Sequence, residues 1–343
     1  VVYGPADQEL LSFAASQTAN SLSRMLATFA AGGAMQGYFG FTAVNSPSST
    51  FRDQAFKLAL YVGQFKPPVF SGTALQMAVR SGVATTKDFY PNLLTDGSSG
   101  AAQDSGGLAI LNTTASAASV TAAQVAGTAT VAYNATYQSV ANFTGTDTFS
   151  FRVLNPAGNA TRTVTVTSYG ITNSVFTATA ARQVAYTVGA PLYQITSNDP
   201  GATFSATGLP AGLSVDGQGR IVGTATAAPG AYTVTLTATI ADATVGAGNG
   251  GAVTRTLTLT VGGIADVSPI NGVFTQDQLL SSPYQIASTA VDTNSFSQSG
   301  LPTGLAMNTA GQVTGTPTVS GSHSVTVNAT VGGNAVSQLL VFN

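Results

Sequence analysis

One hexapeptide occurs twice in this chain. The sequence GLPAGL at residues 208–213 returns as GLPTGL at residues 300–305. Proline fixes one backbone dihedral angle, so Gly-Leu-Pro predicts a rigid turn in each copy. The leucine that closes each copy, Leu213 or Leu305, is predicted to be buried in the core between two sheets. The two leucines should therefore be structurally equivalent.

Three further blocks repeat in the same order around the hexapeptide. Four blocks in one order indicate tandem copies of a single domain. Between the hexapeptide and the GRIVGT block of the first copy, the Asp-Gly of VDGQG (215–219) predicts a hairpin turn. The three blocks are YQI at 193–195 and 284–286, GRIVGT at 219–224 with GQVTGT at 311–316, and AYTVTL at 231–236 with SHSVTV at 322–327.

From about residue 85 onward, short runs of alternating residues predict β-strands. Two examples are TRTVTVT at 161–167 and TRTLTLTV at 254–261. An alternation with a period of two buries one face of an antiparallel sheet. Turn residues separate these runs at short intervals, as is typical of β-sandwiches.

The two copies resemble the "putative Ig" repeat of bacterial surface proteins, whose pattern is Leu-Pro-x-Gly-Leu followed by Gly-x-Ile-x-Gly-Thr-Pro. The resemblance covers residues 169–262 and 263–343 and implies two Ig-like β-sandwiches. A different β-domain is predicted before them, at 69–168. Its segment NFTGTDTFSFRV (142–153) resembles the hallmark of cadherin-like bacterial Ig repeats.

The second resemblance implies roles for particular residues of the domain at 69–168. Phe149 and the alternating residues after it should fill the core. Thr146 and Asp147 should shape a turn, and residues 82–88 are a candidate for the first strand.

Residues 1–68 are predicted to form a small α-helical module. Leu22, Met25, Leu26 and Phe29 follow helical spacing. The layout of the module resembles the distal half of a c-type cytochrome, which implies that Met35 would be the axial methionine. The Cys-x-x-Cys-His motif of that family is absent, so haem cannot be attached in the family's way. The predicted fold class is therefore mainly β, with three tandem Ig-like β-sandwiches preceded by a small α-helical module.

The composition excludes several classes of protein. Hydrophobic residues make up 44% of the 343 residues, which is ample for packed cores. Only 7% are charged, against about 25% in typical soluble domains, and the net charge is −2. Eleven scattered basic residues make no nucleic-acid patch. The absence of cysteine excludes disulfides, and no apolar run is long enough for a membrane span.

The only histidine is His323, so a Ser-His-Asp site or a histidine metal site would have to use it. It stands where the preceding copy has Tyr232, on a predicted strand. We interpret His323 as a structural side chain and predict that the protein is not an enzyme.

Asp199 and Asp292 are the candidates for calcium ligands, in similar places of the two copies. Calcium takes six to eight oxygen ligands, usually including several carboxylates, and each loop supplies one carboxylate. Asx-turns are therefore the favoured interpretation, and no cofactor is expected unless these loops bind calcium.

The first hypothesis is a non-enzymatic extracellular subunit that self-associates into a filament, sheath or surface layer of a bacterial cell. A near-neutral surface promotes association, and the start of the chain, without methionine or signal sequence, leads us to expect an exported, processed chain. The main partner would be a second copy, with surface glycans or other surface proteins as further partners. The alternatives are a monomeric adhesin stalk or carbohydrate-binding surface protein, and a periplasmic electron-transfer-associated protein. The assembly candidates are the apolar termini: Val1, Val2, Tyr3, Leu339, Leu340, Val341 and Phe342.

Overall fold

The computed structural model describes residues 69–70, 74–89, 108–111, 113, 116–126, 131–155, 158–270 and 274–343. The helical module predicted for residues 1–68, including Met35, lies outside these residues. The described chain is mainly β, as predicted, and its one helix is the single turn α1 (Asp242–Val245). Two compact units are present. One comprises the described residues up to Tyr169 with Val245–Asn249, and the other comprises Gly170–Thr244 with Gly250–Asn343.

The first unit contains two sheets, with strand orders β1-β7-β6-β3 and β2-β5-β4. Strand β1 runs parallel to β7, and the remaining pairs in these sheets are antiparallel. The strands are β1 (Leu75–Arg80), β2 (Thr85–Asp88), β3 (Leu108–Leu111), β4 (Ala117–Ala126), β5 (Val131–Ser139), β6 (Gly145–Asn155) and β7 (Gly158–Tyr169).

The core of this unit confirms part of the sequence-based prediction and corrects the rest. Phe149, Phe151 and Val153 alternate along β6 and are buried, as expected. Asp147 does not shape a turn. It lies inside β6 on the same side as Phe149, with 5% of its surface exposed, because alternation along an extended strand turns both side chains inward. The candidate first strand at 82–88 contains β2, and β1 precedes it.

The first Ig copy (residues 170–262) packs two sheets around a core of Ile195, Ile221, Leu236, Leu257 and Leu259. One sheet has the order β10-β13-β12, with β9 also paired to β13, and the other has the order β11-β14-β15, with β8 parallel to β15. The strands are β8 (Thr177–Ala181), β9 (Ala185–Tyr186), β10 (Tyr193–Gln194), β11 (Thr203–Thr207), β12 (Leu213–Val215), β13 (Arg220–Thr224), β14 (Gly230–Ile240) and β15 (Gly251–Ile264).

The second Ig copy (residues 263–343) repeats this arrangement, with sheets β16-β20-β19 and β18-β21-β22. Its core includes Ile286, Val313, Val325, Leu340 and Phe342. The strands are β16 (Tyr284–Gln285), β17 (Ser288–Thr289), β18 (Ser297–Ser299), β19 (Leu305–Met307), β20 (Gln312–Gly315), β21 (His323–Val331) and β22 (Asn334–Phe342).

The repeated hexapeptide begins the same strand in both copies. Leu213 starts β12 and pairs with Gly223, and Leu305 starts β19 and pairs with Gly315. The two leucines are therefore equivalent, as predicted. Both are half-buried against their cores rather than fully buried.

The Asp-Gly hairpin turn is also confirmed, although its left-handed residue is not Gly217. Gly219 adopts a φ of 82°, and Asp216 Oδ1 accepts hydrogen bonds from the Gln218 and Arg220 amides at 3.0 and 2.9 Å. Asn308 takes the place of Asp216 in the second copy, where its Oδ1 accepts from Ala310 N at 3.0 Å. A short polar side chain therefore closes this turn in both copies.

The two Ig copies are joined by β15, whose last residues belong to both. Ile264 contributes to the core of the second copy, and Gly263 pairs with Thr289 of β17. Side-chain contacts reinforce the junction, because Arg182 Nη1 donates to Gln338 Oε1 at 2.6 Å. The tandem copies are thus joined by a continuous strand and form one compact unit.

Candidate functional site

The Asp199 carboxylate is a buried acceptor at the end of β14. Its Oδ1 accepts hydrogen bonds from Gly201 N at 2.9 Å and from Thr244 Oγ1 at 2.8 Å, and its Oδ2 accepts from Ala241 N at 3.0 Å. Burial alone would raise the pKa of Asp199, but the hydrogen bonds outweigh it and hold the pKa below its ordinary value. The ionised carboxylate therefore fastens the loop after β10 to the β14–β15 hairpin.

Asp292 fastens the corresponding hairpin of the second copy, between β21 and β22. Its Oδ2 accepts from Thr330 Oγ1 at 2.7 Å and from Gly333 N at 2.9 Å, while its Oδ1 accepts from Gly332 N at 2.9 Å. The Thr330 hydroxyl is the largest cause that lowers the pKa of Asp292. Both copies thus carry one ionised aspartate that joins an upstream loop to the tip of the last hairpin.

These contacts favour the structural interpretation of Asp199 and Asp292 over calcium binding. Backbone amides and a hydroxyl point their hydrogens at the carboxylate oxygens that a cation would need. In the part of the chain that the structure describes, no three His, Asp or Glu side chains are grouped closely enough to hold a metal ion.

His323 occupies the same place as Tyr232, as the sequence indicated. His323 pairs with Phe342 at the start of β21, and its Nε2 lies 3.3 Å from Ser320 O. Tyr232 Oη donates to Ala228 O at 2.8 Å on the equivalent strand. Each side chain thus contacts a carbonyl just upstream, which agrees with a structural role for His323.

A second buried aspartate, Asp147, lies in the first unit, and its role was not predicted from the sequence. Tyr137 Oη donates to Asp147 Oδ2 at 2.5 Å, and Thr148 N donates to Asp147 Oδ1 at 2.7 Å. The pKa of Tyr137 is strongly raised; burial is the largest cause, and the hydrogen bond to Asp147 is the second. This pair joins β5 to β6, which belong to different sheets, so it stabilises the sandwich. The alternation of Asp147 with Phe149 was the only sequence signal for it.

The C-terminal assembly candidates lie in β22, which is the last strand in the order of its sheet. Leu340 and Phe342 are buried in their own domain, Val341 is half-buried, and Leu339 is 56% exposed. The outer side of Val341 is covered, because Ile270 N donates to Val341 O at 2.8 Å and Val341 N donates to Ser268 Oγ at 2.9 Å. The N-terminal candidates Val1, Val2 and Tyr3 lie outside the described residues.

The outer edge of β22 is open before Val341. Strand β22 pairs residue by residue with β21 on one side, and alternate backbone groups of an antiparallel strand face the other side. The amides of Ala335, Ser337 and Leu339 share the outward orientation of Val341 and donate to no partner within the described ranges. Strand β22 carries no charged residue, although charges usually protect exposed sheet edges from pairing with other chains.

A cleft in the second copy was not predicted from the sequence. It has a volume of about 460 Å³ and lies between the loop before β16 and the ring of Tyr284. Its lining residues are Phe274, Thr275, Gln278, Leu279, Leu280, Ser281, Ser282, Pro283 and Tyr284.

Comparison with protein families matches three segments of the chain to Ig domain models. The family model described as "putative Ig domain" matches residues 162–262 and 264–342. The model described as "bacterial Ig domain" matches residues 66–167. A search of curated proteins found no match to this chain. Among the described residues, no helix combines the length and apolar character that crossing a membrane requires.

Solved structures give only distant matches. Drosophila N-cadherin EC1-4 is 11% identical, with 80% of this chain and 74% of that chain covered and a TM-score of 0.24. Human protocadherin-24 EC1-2 is 13% identical, with 51% and 97% covered and a TM-score of 0.24. An endo-fucoidan hydrolase of glycoside hydrolase family 107 is 15% identical, with 86% and 46% covered and a TM-score of 0.22. Similarities this low carry no argument about function.

The family matches agree with the repeated hexapeptide, with the two equivalent aspartate contacts and with the paired sheets of each copy. Two matches to one family model span more than half of the sequence. The chain belongs to the "putative Ig domain" family, with a bacterial Ig domain preceding its two copies.

Proposed function

We propose that this protein is a non-enzymatic structural or adhesive subunit of a bacterial cell surface, and that copies associate through the open edge of β22. Bacterial Ig domains are typical of surface and extracellular proteins, which supports the proposed location. The domain organisation that we propose is one bacterial Ig sandwich at 69–168 followed by Ig copies at 169–262 and 263–343.

The uncharged edge of β22 is the observation that carries the proposal of self-association. The backbone amides of Ala335, Ser337 and Leu339 face the open edge, and their exposed side chains lie on one face of the sheet. A second copy of β22 would pair with this edge in an antiparallel orientation and extend the sheet β18-β21-β22 across two chains. A side chain of the added strand would then lie beside Leu339 on the same face and cover part of its exposed surface.

The equivalent strand of the first copy is better protected and provides a matched control. Tyr232 pairs with Leu259 and His323 pairs with Phe342, so Arg255 stands where β22 has Gln338, and Thr256 stands where it has Leu339. The Arg255 guanidinium lies 4.8 Å from the centre of the Phe176 ring. Strand β15 thus carries a charged residue of its own, whereas β22 carries none and its nearest guanidinium is that of Arg182, which is bonded to Gln338.

Light scattering of the purified chain at micromolar concentration tests this proposal. We expect the wild-type chain to form particles larger than a monomer, and we expect them to persist at roughly 1 M salt, because the contact involves no ion pairs. Leu339→Lys should give monomers, while Thr256→Lys should assemble like the wild type. A monomeric wild-type chain, or equal assembly of both variants, would contradict the proposal.

The other hypotheses gain less support. No observation favours the electron-transfer alternative, which depends on residues 1–68, outside the described residues. A monomeric adhesin stalk would share the tandem Ig domains and would differ in remaining monomeric, so the light-scattering experiment also separates these two functions.

A further inference from the structure

The cleft beside Tyr284 arises from a difference between the two Ig copies. Backbone hydrogen bonds fix which residues correspond there. Gln183 N donates to Ala225 O at 2.9 Å in the first copy, and Asp277 N donates to Pro317 O at 2.8 Å in the second. Both donor residues adopt a positive φ, 63° and 60°. Gln183 and Asp277 are therefore equivalent, although aligning the copies at their YQI blocks would not pair them.

This correspondence shows that the following loop is shorter in the second copy. Tyr186 pairs with Gly223, and Leu280 N donates to the equivalent Gly315 O at 3.0 Å. Residues 187–192 then lead to Tyr193, whereas only residues 281–283 lead to Tyr284.

The residue before the tyrosine also differs between the two copies. Leu192 packs against the core there, and its amide donates to Ile221 O at 2.9 Å. Pro283, which precedes Tyr284, is exposed. The cleft lies beside this exposed proline, and its volume of about 460 Å³ falls within the range of small-molecule sites.

The equivalent tyrosines also differ in their hydroxyl groups. Tyr193 Oη donates to Val175 O at 2.6 Å, whereas Tyr284 Oη has no hydrogen-bond partner among the described residues. The Tyr284 ring is held in place by Phe274, at a centroid distance of 5.8 Å, and Phe274 in turn contacts the core residue Phe342 at 5.5 Å. A rigid aromatic ring, whose hydroxyl bonds none of the described residues, thus forms one wall of the cleft.

The lining chemistry indicates the class of ligand. No charged residue lines the cleft, so it offers no counter-ion to a phosphate, a carboxylate or an amine. Thr275, Gln278, Ser281 and Ser282 supply hydroxyl and amide groups, and their side chains make no hydrogen bond within the described part of the chain. We propose that this cleft binds one neutral sugar residue, with its hydroxyls bonded to these groups and its C–H face on the Tyr284 ring. This site adds a ligand to the proposed surface function and does not depend on self-association.

Saturation-transfer difference NMR on the full chain tests the site, with the methyl glycosides of glucose, galactose and mannose as probes and glucuronic acid as the charged comparison. We expect transfer to at least one neutral glycoside. Tyr284→Phe should weaken its binding about fivefold, the effect of one lost hydrogen bond. Ser282→Trp, at an exposed position, should block the cleft. Tyr193→Phe is the matched control and should bind like the wild type.

Three results would overturn the assignment: no transfer to any neutral glycoside, stronger transfer to glucuronic acid, or equal transfer with Ser282→Trp and the wild type. Thermal unfolding of each variant shows whether a loss of transfer comes from the cleft or from loss of the fold. Since light scattering measures assembly separately, failure of the sugar site and failure of self-association are distinguishable.

Discussion

Thr224 N donates a hydrogen bond to Gly212 O at 2.9 Å, and a Cβ atom on Gly212 would lie only 1.9 Å from Thr224 O. The second copy repeats this relationship with the same two distances between Gly304 and Thr316. Glycine is thus required at the fifth position of the hexapeptide for two reasons. The backbone adopts a φ of 87° there in the first copy, and a neighbouring strand leaves no room for a Cβ atom.

Gly212→Ala should destabilise the first Ig copy by about 3 kcal/mol, because the substitution adds both backbone strain and a clash with a carbonyl oxygen. Urea unfolding followed by circular dichroism measures the effect. Gly217→Ala is the control, since a Cβ there meets nothing within 4 Å. Equal unfolding midpoints for the two variants would refute this explanation of the motif.

Asp199→Asn should lower the free energy of unfolding by about 2 kcal/mol. The carboxylate accepts three hydrogen bonds, and in the variant an amide nitrogen would face one of the donors. The pKa of Asp199 is lowered from 3.8 in the folded chain, so its contribution is fully present above about pH 4 and is lost as the pH falls through the folded pKa. Acid unfolding curves of the wild type and Asp199→Asn should therefore converge at low pH. Parallel curves would contradict an ionised, hydrogen-bonded Asp199.

Tyr137→Phe should destabilise the first unit by about 2 kcal/mol, because Asp147 stays buried and loses a donor. The folded pKa of Tyr137 is raised from 10.0, so its contribution is complete below pH 10 and decreases as the pH rises above that value. Absorbance titration of the tyrosines, combined with denaturant unfolding, measures both effects. Tyr232→Phe, which removes an exposed bond to Ala228 O, is the control and should have little effect.

His323→Tyr should fold and assemble like the wild type, because the equivalent strand of the first copy already carries Tyr232 in this place. Thermal unfolding and light scattering check this expectation. A loss of stability above about 2 kcal/mol, which is typical of a disruptive substitution, would show that His323 does more than contact the Ser320 carbonyl.

The sequence was sufficient for features that depend on local spacing. Alternation along β6 predicted the burial of Phe149 and Phe151, and the repeated blocks predicted that Leu213 and Leu305 are equivalent. Alternation also places Asp147 on the side of Phe149. Its partner Tyr137 lies in the other sheet, however, and spacing along one strand does not reveal contacts between sheets.

The candidate sites depended on contacts that are distant in the sequence. The Asp199 carboxylate binds Ala241 N, 42 positions later, so the loop alone resembled an incomplete calcium site. The cleft was missed because the YQI blocks align Tyr193 with Tyr284 and hide the shortened loop before them. Only the hydrogen bonds of Gln183 and Asp277 reveal that difference.

Cysteine cross-linking can locate the contact between copies, because the chain has no cysteine of its own. Ser337→Cys and Leu339→Cys place a single thiol on the open edge of β22, and Thr254→Cys places one at the position of β15 equivalent to Ser337. If copies associate through β22, mild oxidation at micromolar concentration should convert at least one β22 variant largely into disulfide-linked dimers and leave Thr254→Cys uncoupled. Association through β22 would be contradicted by chains that assemble without forming disulfide-linked dimers through either β22 cysteine. Equal coupling through Thr254→Cys would contradict it as well.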